Sequence, residues 1–408
     1  MKQPLHQIAT GRAGSLFESD IAQSEDALRA AITGKRVLAI GGAGSIGSST
    51  VLQIAMRQPD TLHVVDQNEN GLAELVRRLR SQPDIWSVRD FQTLPLDYGS
   101  AAMRHLLASQ TPYDLVLNFA ALKHVRSEKD PFSTLQMFDT NLLKQERFMG
   151  WLAGTGFAGR FFTVSTDKAA NPSSMMGASK RAMEHVLFNS SAAAALPGIK
   201  TSARFANVAF SNGSLLQGFE NRLARIEPLA APRDTRRYFV SLQESGELCV
   251  LAAALAPDHT IVIPRLDPEK HLVTLQEIAE SFLRHHGYEP AHYADEREAC
   301  AAARIEAQRG FWPLILTVLD TSGEKPYEEF MTDRERSREM GLPNLRVVDY
   351  LAADRVAIEA MLRETEMLVN DVSAGVLSKD RLKALLALVE PGFLTTHKDA
   401  AANLDQRL

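Results

Sequence analysis

The sequence predicts an α/β chain: a doubly wound parallel sheet, a smaller C-terminal lobe and a helical tail. Three observations predict it. Between Arg36 and Asn207, short apolar runs rich in β-branched and aromatic residues alternate with longer segments of helical spacing, the pattern of parallel strands joined by crossover helices. Six such runs occur, enough for a full doubly wound sheet. The first of them enters a glycine-rich turn, and the 408 residues leave room for a second lobe beside the sheet.

Taken in order, residues 1–34 read as a helical arm, with Ser24 as N-cap before Glu25-Asp26-Ala27-Leu28 and Thr33-Gly34 as the stop. Residues 35–210 hold the strands, expected at Arg36–Ile40, Leu62–Asp66, Phe91–Pro95, Leu115–Phe119, Arg160–Val164 and Lys200–Phe205. Residues 211–345 form the smaller lobe. It opens on Pro- and Arg-rich loops from Glu227 to Tyr238, and a helix and the strand Thr260–Pro264 return to the core around 242–264. A helix follows around Thr274–His286, where His285-His286-Gly287 suits a helix end and needs no function. Residues beyond it read as irregular, and 346–408 as a charged helical tail.

Strand Arg36–Ile40 runs into Gly41-Gly42-Ala43-Gly44-Ser45-Ile46-Gly47 and then a helix. Glycines at 41, 44 and 47 keep Cβ atoms away where the backbone turns tightly and must approach a pyrophosphate seated on the helix N-terminus, with Ser45 and Ile46 in its first turn. The next strand ends at Asp66, where a carboxylate can accept both hydroxyls of an adenosine ribose. That acid favours NAD over NADP, because a 2′-phosphate would meet a negative charge. This is a Rossmann dinucleotide signature, with Asp97-Tyr98 after the third strand as a further adenine contact.

Composition narrows the partners. The net charge of −5 argues against a protein built to hold nucleic acid. Two cysteines, Cys249 and Cys300, and 11 scattered histidines show neither a disulfide framework nor metal-ligand spacing. No run reaches the ~18–20 apolar residues that span a bilayer, and the amino terminus lacks a secretory pattern. A cytoplasmic chain without membrane insertion is expected.

Ligands of such sheets bind outside the carboxyl ends of the strands. After the fourth strand stand Ala120-Ala121, small enough to let a cofactor pass, then Lys123-His124, a cation and a titratable ring aimed at the substrate. After the fifth stand Thr166-Asp167-Lys168, an adjacent acid and amine, followed by Met175-Met176-Gly177-Ala178-Ser179-Lys180.

With these residues the chain resembles the extended short-chain dehydrogenase/reductases, and within them the nucleotide-sugar 4,6-dehydratases of polysaccharide biosynthesis, typified by UDP-N-acetylglucosamine 4,6-dehydratase. The resemblance spans about Gly34 to Phe330. It is carried by GGAGSIG, NFAALKHV, TNLLKQE around Asn141, VSTDKAANPSSMMGASKR, ARFANV and RRYF, with a weaker GEKPYEE at Gly323–Glu329. Where the family commonly has tyrosine four residues before the helix lysine, this chain has Met176, so it looks like the methionine branch. Ala206 stands where glycine is usual, and Arg236 where threonine is.

The resemblance implies a reaction in which the sugar loses a hydride from C4 to NAD, then the C5 proton and the C6 hydroxyl as water, and regains the hydride at C6. It implies Lys168 as the C5 base, Asp167 as the acid for the leaving hydroxyl and Thr166 near C4. Those roles ask for a protonated Asp167 and an uncharged Lys168, states that burial favours. Met176 has no titratable proton, so Asp167 or a water beside Thr166 takes the 4-hydroxyl proton, and Met176 packs against nicotinamide or sugar. Lys180 holds the nicotinamide ribose, and Asn141 belongs with the cofactor residues. Asn207, Ser214 and Arg237 face the nucleotide diphosphate, since an arginine fork suits phosphate. The resemblance further implies retention at C5 and a homo-oligomer. An epimerase, a dehydratase of another hexose nucleotide and a non-catalytic nucleotide-sugar-binding protein stand as alternatives.

Overall fold

The computed structural model describes residues 4–82, 88–123, 128, 130–318, 327–373 and 375–398. His124 of the expected substrate residues lies outside these, as do residues 323–326 of the GEKPYEE motif.

The strands in chain order are β1 (Arg36–Ile40), β2 (Thr61–Val65), β3 (Asp90–Leu94), β4 (Leu115–Asn118), β5 (Arg160–Val164), β6 (Ile199–Ala203), β7 (Asn207–Val208) and β8 (Leu229–Pro232). After these come β9 (Arg236–Val240), β10 (Thr260–Pro264), β11 (Leu272–Thr274), β12 (Glu289–Tyr293), β13 (Phe311–Thr317), β14 (Ser337–Glu339) and β15 (Leu345–Asp349). Nine of them form one sheet in the order β14-β15-β10-β6-β5-β4-β1-β2-β3. From β10 to β3 every pairing is parallel, while β15 and β14 are added antiparallel at the edge. Central strands β1, β2 and β4 to β6 are buried almost throughout, because helices cover both faces; β1, β2, β4 and β5 are mostly apolar, whereas β6 buries Lys200 on Leu196 O at 2.9 Å and Ser202 on Thr163 O at 2.7 Å. The chain order reverses between β1 and β4, which opens a crevice at their carboxyl ends.

Helix Leu242–Leu255, capped by a reciprocal Ser241–Glu244 box, packs against helix Ser45–Ala55 and buries Leu248 to Ala253. The smaller lobe carries two three-stranded sheets, β11-β9-β7 and β12-β13-β8. Its core centres on Phe219, Phe282 and Trp312, against which Ala9 of the amino-terminal helix Leu5–Thr10 also packs.

Three sequence expectations need correction. Ser24 is not an N-cap: the helix runs Glu18–Ile32, and Ser24 lies on its buried face with Asp20, Leu28 and Ile32. The early turns are held by polar contacts, Asp20 accepting from Asn344 N at 2.9 Å and Asn344 Nδ2 at 2.7 Å, so apolar periodicity did not announce them. The expected loops from Glu227 to Tyr238 contain β8, four residues ending in Pro232, and the start of β9, whose two arginines disguised its strand character. The stretch read as irregular is a parallel unit, β12, helix Glu296–Gln308 and β13, with Asp295 capping the helix.

The tail is not a loose appendage. Helices Arg355–Asn370 and Lys379–Val389 close an apolar layer over helices Pro131–Phe138 and Met175–Asn189, burying Ile358, Met361, Leu382, Leu386 and Phe393 with Phe138 and Val186. Each such side chain contributes about 1.5–3 kcal/mol of hydrophobic stabilisation. Among the described residues, no helix is long and apolar enough to cross a membrane.

Candidate active site

At the switch point backbone approaches backbone closely. Gly41 has φ +71°, and a Cβ there would sit 2.6 Å from Ala120 N. A Cβ on Gly47 would lie 2.2 Å from the Gly41 carbonyl oxygen. These contacts let the turn fold on itself and bring Ala120 against it. Helix Ser45–Ala55 starts at Gly44 with no side-chain cap, which leaves its end suited to an anion. The Ser45 hydroxyl accepts from Asn212 N at 2.8 Å and so joins this turn to the entry of the smaller lobe.

Asp66, just past β2, is held by the same turn: Oδ2 accepts from Ala43 N at 3.0 Å and Oδ1 from Asn68 N at 2.9 Å. Its half-exposed carboxylate rims the crevice where an adenosine ribose would lie. Glycine spacing, close backbone approach and a fixed acid thus fit a dinucleotide. Asp97 is tied to Lys144 Nζ and accepts from Gly99 N at 2.9 Å. Burial opposes its charge, but these partners outweigh burial and hold Asp97 below its usual range. Asn141, in a π-helical turn, clamps Leu122 through both backbone atoms, Nδ2 to Leu122 O at 3.0 Å and Leu122 N to Oδ1 at 2.9 Å, and donates to Ser179 Oγ at 3.2 Å. It therefore fixes the loop carrying Ala120, Ala121 and the exposed Lys123.

At the end of β5, Thr166 caps a short 3₁₀ turn over Asp167–Ala169 and its hydroxyl donates to Asp167 Oδ1 at 2.6 Å. Asp167 is 3% exposed, and Lys168 Nζ lies 3.3 Å from its Oδ2 with the lysine side chain 39% exposed. An acid and an amine thus meet at one strand end, the acid enclosed and the amine open to the crevice. Lys180 is buried, donating to Val164 O at 2.7 Å and lying 3.0 Å from Met183 Sδ. Burial, opposed by Glu184, pulls it down to about 7. Met176 is 3% exposed and belongs to the apolar layer under the tail helices; Glu128 caps this helix start, accepting from Met176 N at 2.9 Å and Met175 N at 3.1 Å.

On the facing lobe, Asn207 donates to Tyr238 O at 3.4 Å, and Arg237, 8% exposed, donates to Arg236 O at 2.7 Å. Ser214 caps helix Leu215–Arg225 through Gln217 N at 3.2 Å. Sequence reasoning missed the group that joins them, Glu328, and the buried network beneath. Arg204, fully enclosed, bridges Glu184 at 2.6 Å and Glu335 at 2.9 Å; Arg181 reaches Glu335 at 2.6 Å and Glu390 at 2.7 Å. Ser165, beside Thr166, donates to Glu184 Oε1 at 2.6 Å. The tail also touches the loop before helix Met175–Asn189: Thr396 donates to Pro172 O at 2.7 Å and Lys398 N to Ser173 O at 3.0 Å. An arginine inside the apolar strand-end run Ala203–Ala206 was the visible signal.

The sheet order, the glycine turn at its switch point and the two small sheets packed beside it define a Rossmann-type α/β protein with a second, smaller lobe. The chain belongs to the polysaccharide biosynthesis protein family, whose model matches residues 37–349. It is 27% identical over 361 residues to an uncharacterized membrane protein of Methanocaldococcus jannaschii, covering 86% of this chain and 95% of that one. With the probable polysaccharide biosynthesis protein EpsC of Bacillus subtilis it shares 26% identity over 318 residues, covering 78% of this chain and 48% of EpsC, so the chain spans about half of that relative. A UDP-N-acetylglucosamine 4,6-dehydratase (inverting) of Campylobacter jejuni is 26% identical over 244 residues, 58% of this chain and 69% of the enzyme. Among solved structures, Pen from Bacillus thuringiensis shares the fold with TM-score 0.62 and 21% identity, covering 79% of this chain and 89% of that one.

Proposed function

We propose that the chain is an NAD-dependent 4,6-dehydratase acting on UDP-N-acetylglucosamine and yielding the 4-keto-6-deoxy sugar nucleotide for surface polysaccharide or glycan precursors. The observation that carries this reading is the Thr166-Asp167-Lys168 constellation, a 3%-exposed acid with a hydroxyl and an amine in contact, at the end of β5, with β4 between it and the strand that enters the glycine turn. The curated dehydratase relative supports it at 26% identity.

Gly41, Gly44, Gly47, Ser45, Ile46 and Asp66 would hold the dinucleotide, with Ala120 and Ala121 against it and Asn141 and Asp97 steadying its far wall. When bound, NAD supplies the hydride acceptor for C4 and the donor for C6. Asp167 receives the 4-hydroxyl proton and gives it to the departing 6-hydroxyl, and Lys168, the more open of the pair, removes the C5 proton after its amine has released its own to solvent. Thr166, already donating to Asp167, is the relay through which the 4-hydroxyl proton leaves, because the Met176 thioether neither accepts nor donates one. Lys180 lies under the same strand end, on the Val164 carbonyl, where a ribose hydroxyl would compete for its amine. Asn207 and Arg237 bind the diphosphate, and Ser214 orders the loop at its edge.

The test is incubation of the full chain with NAD and UDP-N-acetylglucosamine, followed by mass detection. Loss of one water is expected, and Asp167→Asn and Lys168→Met should each lower turnover about 10²–10⁴-fold, as loss of a general acid or base does. An unchanged mass with new stereochemistry would make the chain an epimerase. Turnover within a few-fold of the parent in both variants would remove the acid–base assignment.

A further inference from the structure

Between the strand-end acid and the lobe arginine lies a carboxyl group with no role in the reaction described above. Glu328 is 8% exposed. Its Oε1 accepts from Asn207 Nδ2 and lies 3.4 Å from Arg237 Nε, while its Oε2 accepts from Tyr238 N at 3.2 Å. One side chain thus fixes Asn207 and Arg237, two of the three residues expected at the diphosphate, and ties them to the backbone of β9. The charged and titratable groups around it are Asp167 and Lys168 from the end of β5, and Arg237 and the Tyr238 phenol from β9. Asn171 is engaged by the adjacent Glu329 instead, at 3.1 Å.

We infer that Glu328 is the positioning residue of the sugar-nucleotide site: it holds Asn207 and Arg237 ready for the diphosphate, and it takes up a proton when that anion binds. This rests on reading Asn207 and Arg237 as the diphosphate side of a nucleotide-sugar site. The physical reason is a balance of charge in an enclosed space. Without ligand, the carboxyls of Asp167 and Glu328 face two cations, Lys168 and Arg237. Burial and the Asp167 charge push Glu328 up to about 7, against the pull of Lys168 and Arg237. A diphosphate that engages Arg237 takes away part of the charge that kept Glu328 ionised and adds negative charge beside it. The carboxyl then binds a proton from solvent, and the neutral acid still accepts from Tyr238 N. Binding and protonation are therefore linked, and each strengthens the other.

The experiment is thermal unfolding of the full chain at pH 6, 7 and 8, with and without UDP-N-acetylglucosamine, beside Glu328→Gln. The diphosphate of this ligand is a diester and does not titrate in that range. For the parent, the ligand-induced rise in melting temperature should shrink from pH 6 to pH 8, corresponding to an affinity loss of at most about tenfold per pH unit above the titration of Glu328. In Glu328→Gln, whose amide imitates the protonated acid, the ligand effect should stay at the pH 6 level throughout. Without ligand the sign is also fixed. A carboxyl raised in the folded state stabilises below its unfolded value of 4.5 and loses that contribution as pH rises through about 7. The unliganded parent should therefore fall relative to Glu328→Gln between pH 6 and 8. Equal pH slopes in the two proteins, with and without ligand, would overturn the inference. Should Glu328→Gln fail to fold, mixing the parent with the ligand in weakly buffered indicator solution at pH 7.5 decides the matter: uptake approaching one proton per chain supports it, and no uptake overturns it. If UDP-N-acetylglucosamine gives no shift at any pH, the sugar-nucleotide reading fails, while the unliganded slopes alone still decide whether Glu328 carries the proton.

Discussion

The β1 end of the crevice is built of backbone and missing side chains, Gly41 against Ala120 and Gly47 against Gly41, with one carboxylate, Asp66, locking the turn. At the β5 end it is charge: Asp167 and Lys168 above, and beneath them Glu184, Arg204, Glu335, Arg181 and Glu390 in one buried chain of ion pairs. The first end is built mostly from residues 36–66, with Ala120 and Asn212 closing on it. The second needs the lobe and the tail to be docked, because Glu335 and Glu390 come from them. Stability of the second end should therefore depend on charge and on pH, and that of the first on shape.

The largest effect expected is at Arg204. Replacing it with Met leaves Glu184 and Glu335, both with fully buried side chains, to share Arg181 alone, and also removes a donor from Phe330 O. Breaking a buried pair by deleting one partner costs about 3–5 kcal/mol. Denaturant unfolding of Arg204→Met should show a loss of that size. The double variant Arg204→Met with Glu184→Gln should recover part of it, and strict additivity of the two would mean that the network is not a network.

Next in size is the tail. Glu390 accepts from Arg181 Nε at 2.7 Å and shares 2.9 Å with His185 Nε2, and although burial alone would raise it, these partners hold it down at about 2; Glu335 is held at about 2 in the same way by Arg204. A carboxyl depressed in the folded state stabilises above its unfolded value of 4.5 and loses that contribution as pH falls toward 2. Melting temperature should thus drop as pH is lowered from about 5 to 2. Glu390→Gln should cost about 1–3 kcal/mol at pH 7 and flatten part of the acid slope. If that variant behaves as the parent at pH 7, the tail is held by its apolar layer and its other hydrogen bonds, without help from the Glu390 ion pairs.

Much of the first end was legible because its parts are close in sequence and in the order the chemistry requires: strand, glycines, helix, strand, acid. The second end was legible only where it is local, at Thr166-Asp167-Lys168. Arg204 meets Glu335 across 131 residues and Arg181 meets Glu390 across 209, and no periodicity or spacing announces such partners. Glu328 lies within the Gly323–Glu329 motif, yet its place beside β9 is set by the fold and not by spacing. The place of Met176 before Lys180 predicts a side chain against the ligand. In the fold it is also a component of the apolar layer that the tail covers, a layer drawn from helices far apart in the chain. Ser24 shows the converse: a good capping residue type, buried instead on a helix face because the preceding turns are fixed by Asn344.

The smallest effect expected is at Asp66, and it sharpens what the backbone end can tolerate. Its two oxygens serve two backbone donors, Ala43 N and Asn68 N. Asp66→Asn keeps one acceptor and turns an NH₂ group toward the other N–H, so the turn loses one charge-assisted bond without losing its glycine geometry. The same change removes the negative charge that opposes a 2′-phosphate. NAD affinity should fall about tenfold, or ~1.4 kcal/mol, the preference over NADP should narrow, and the melting temperature without cofactor should move little. Cofactor titration by fluorescence and a ligand-free melt measure the two separately. A large loss of stability with unchanged cofactor preference would mean that Asp66 is a structural cap, and that this end, like the other, is held by charge.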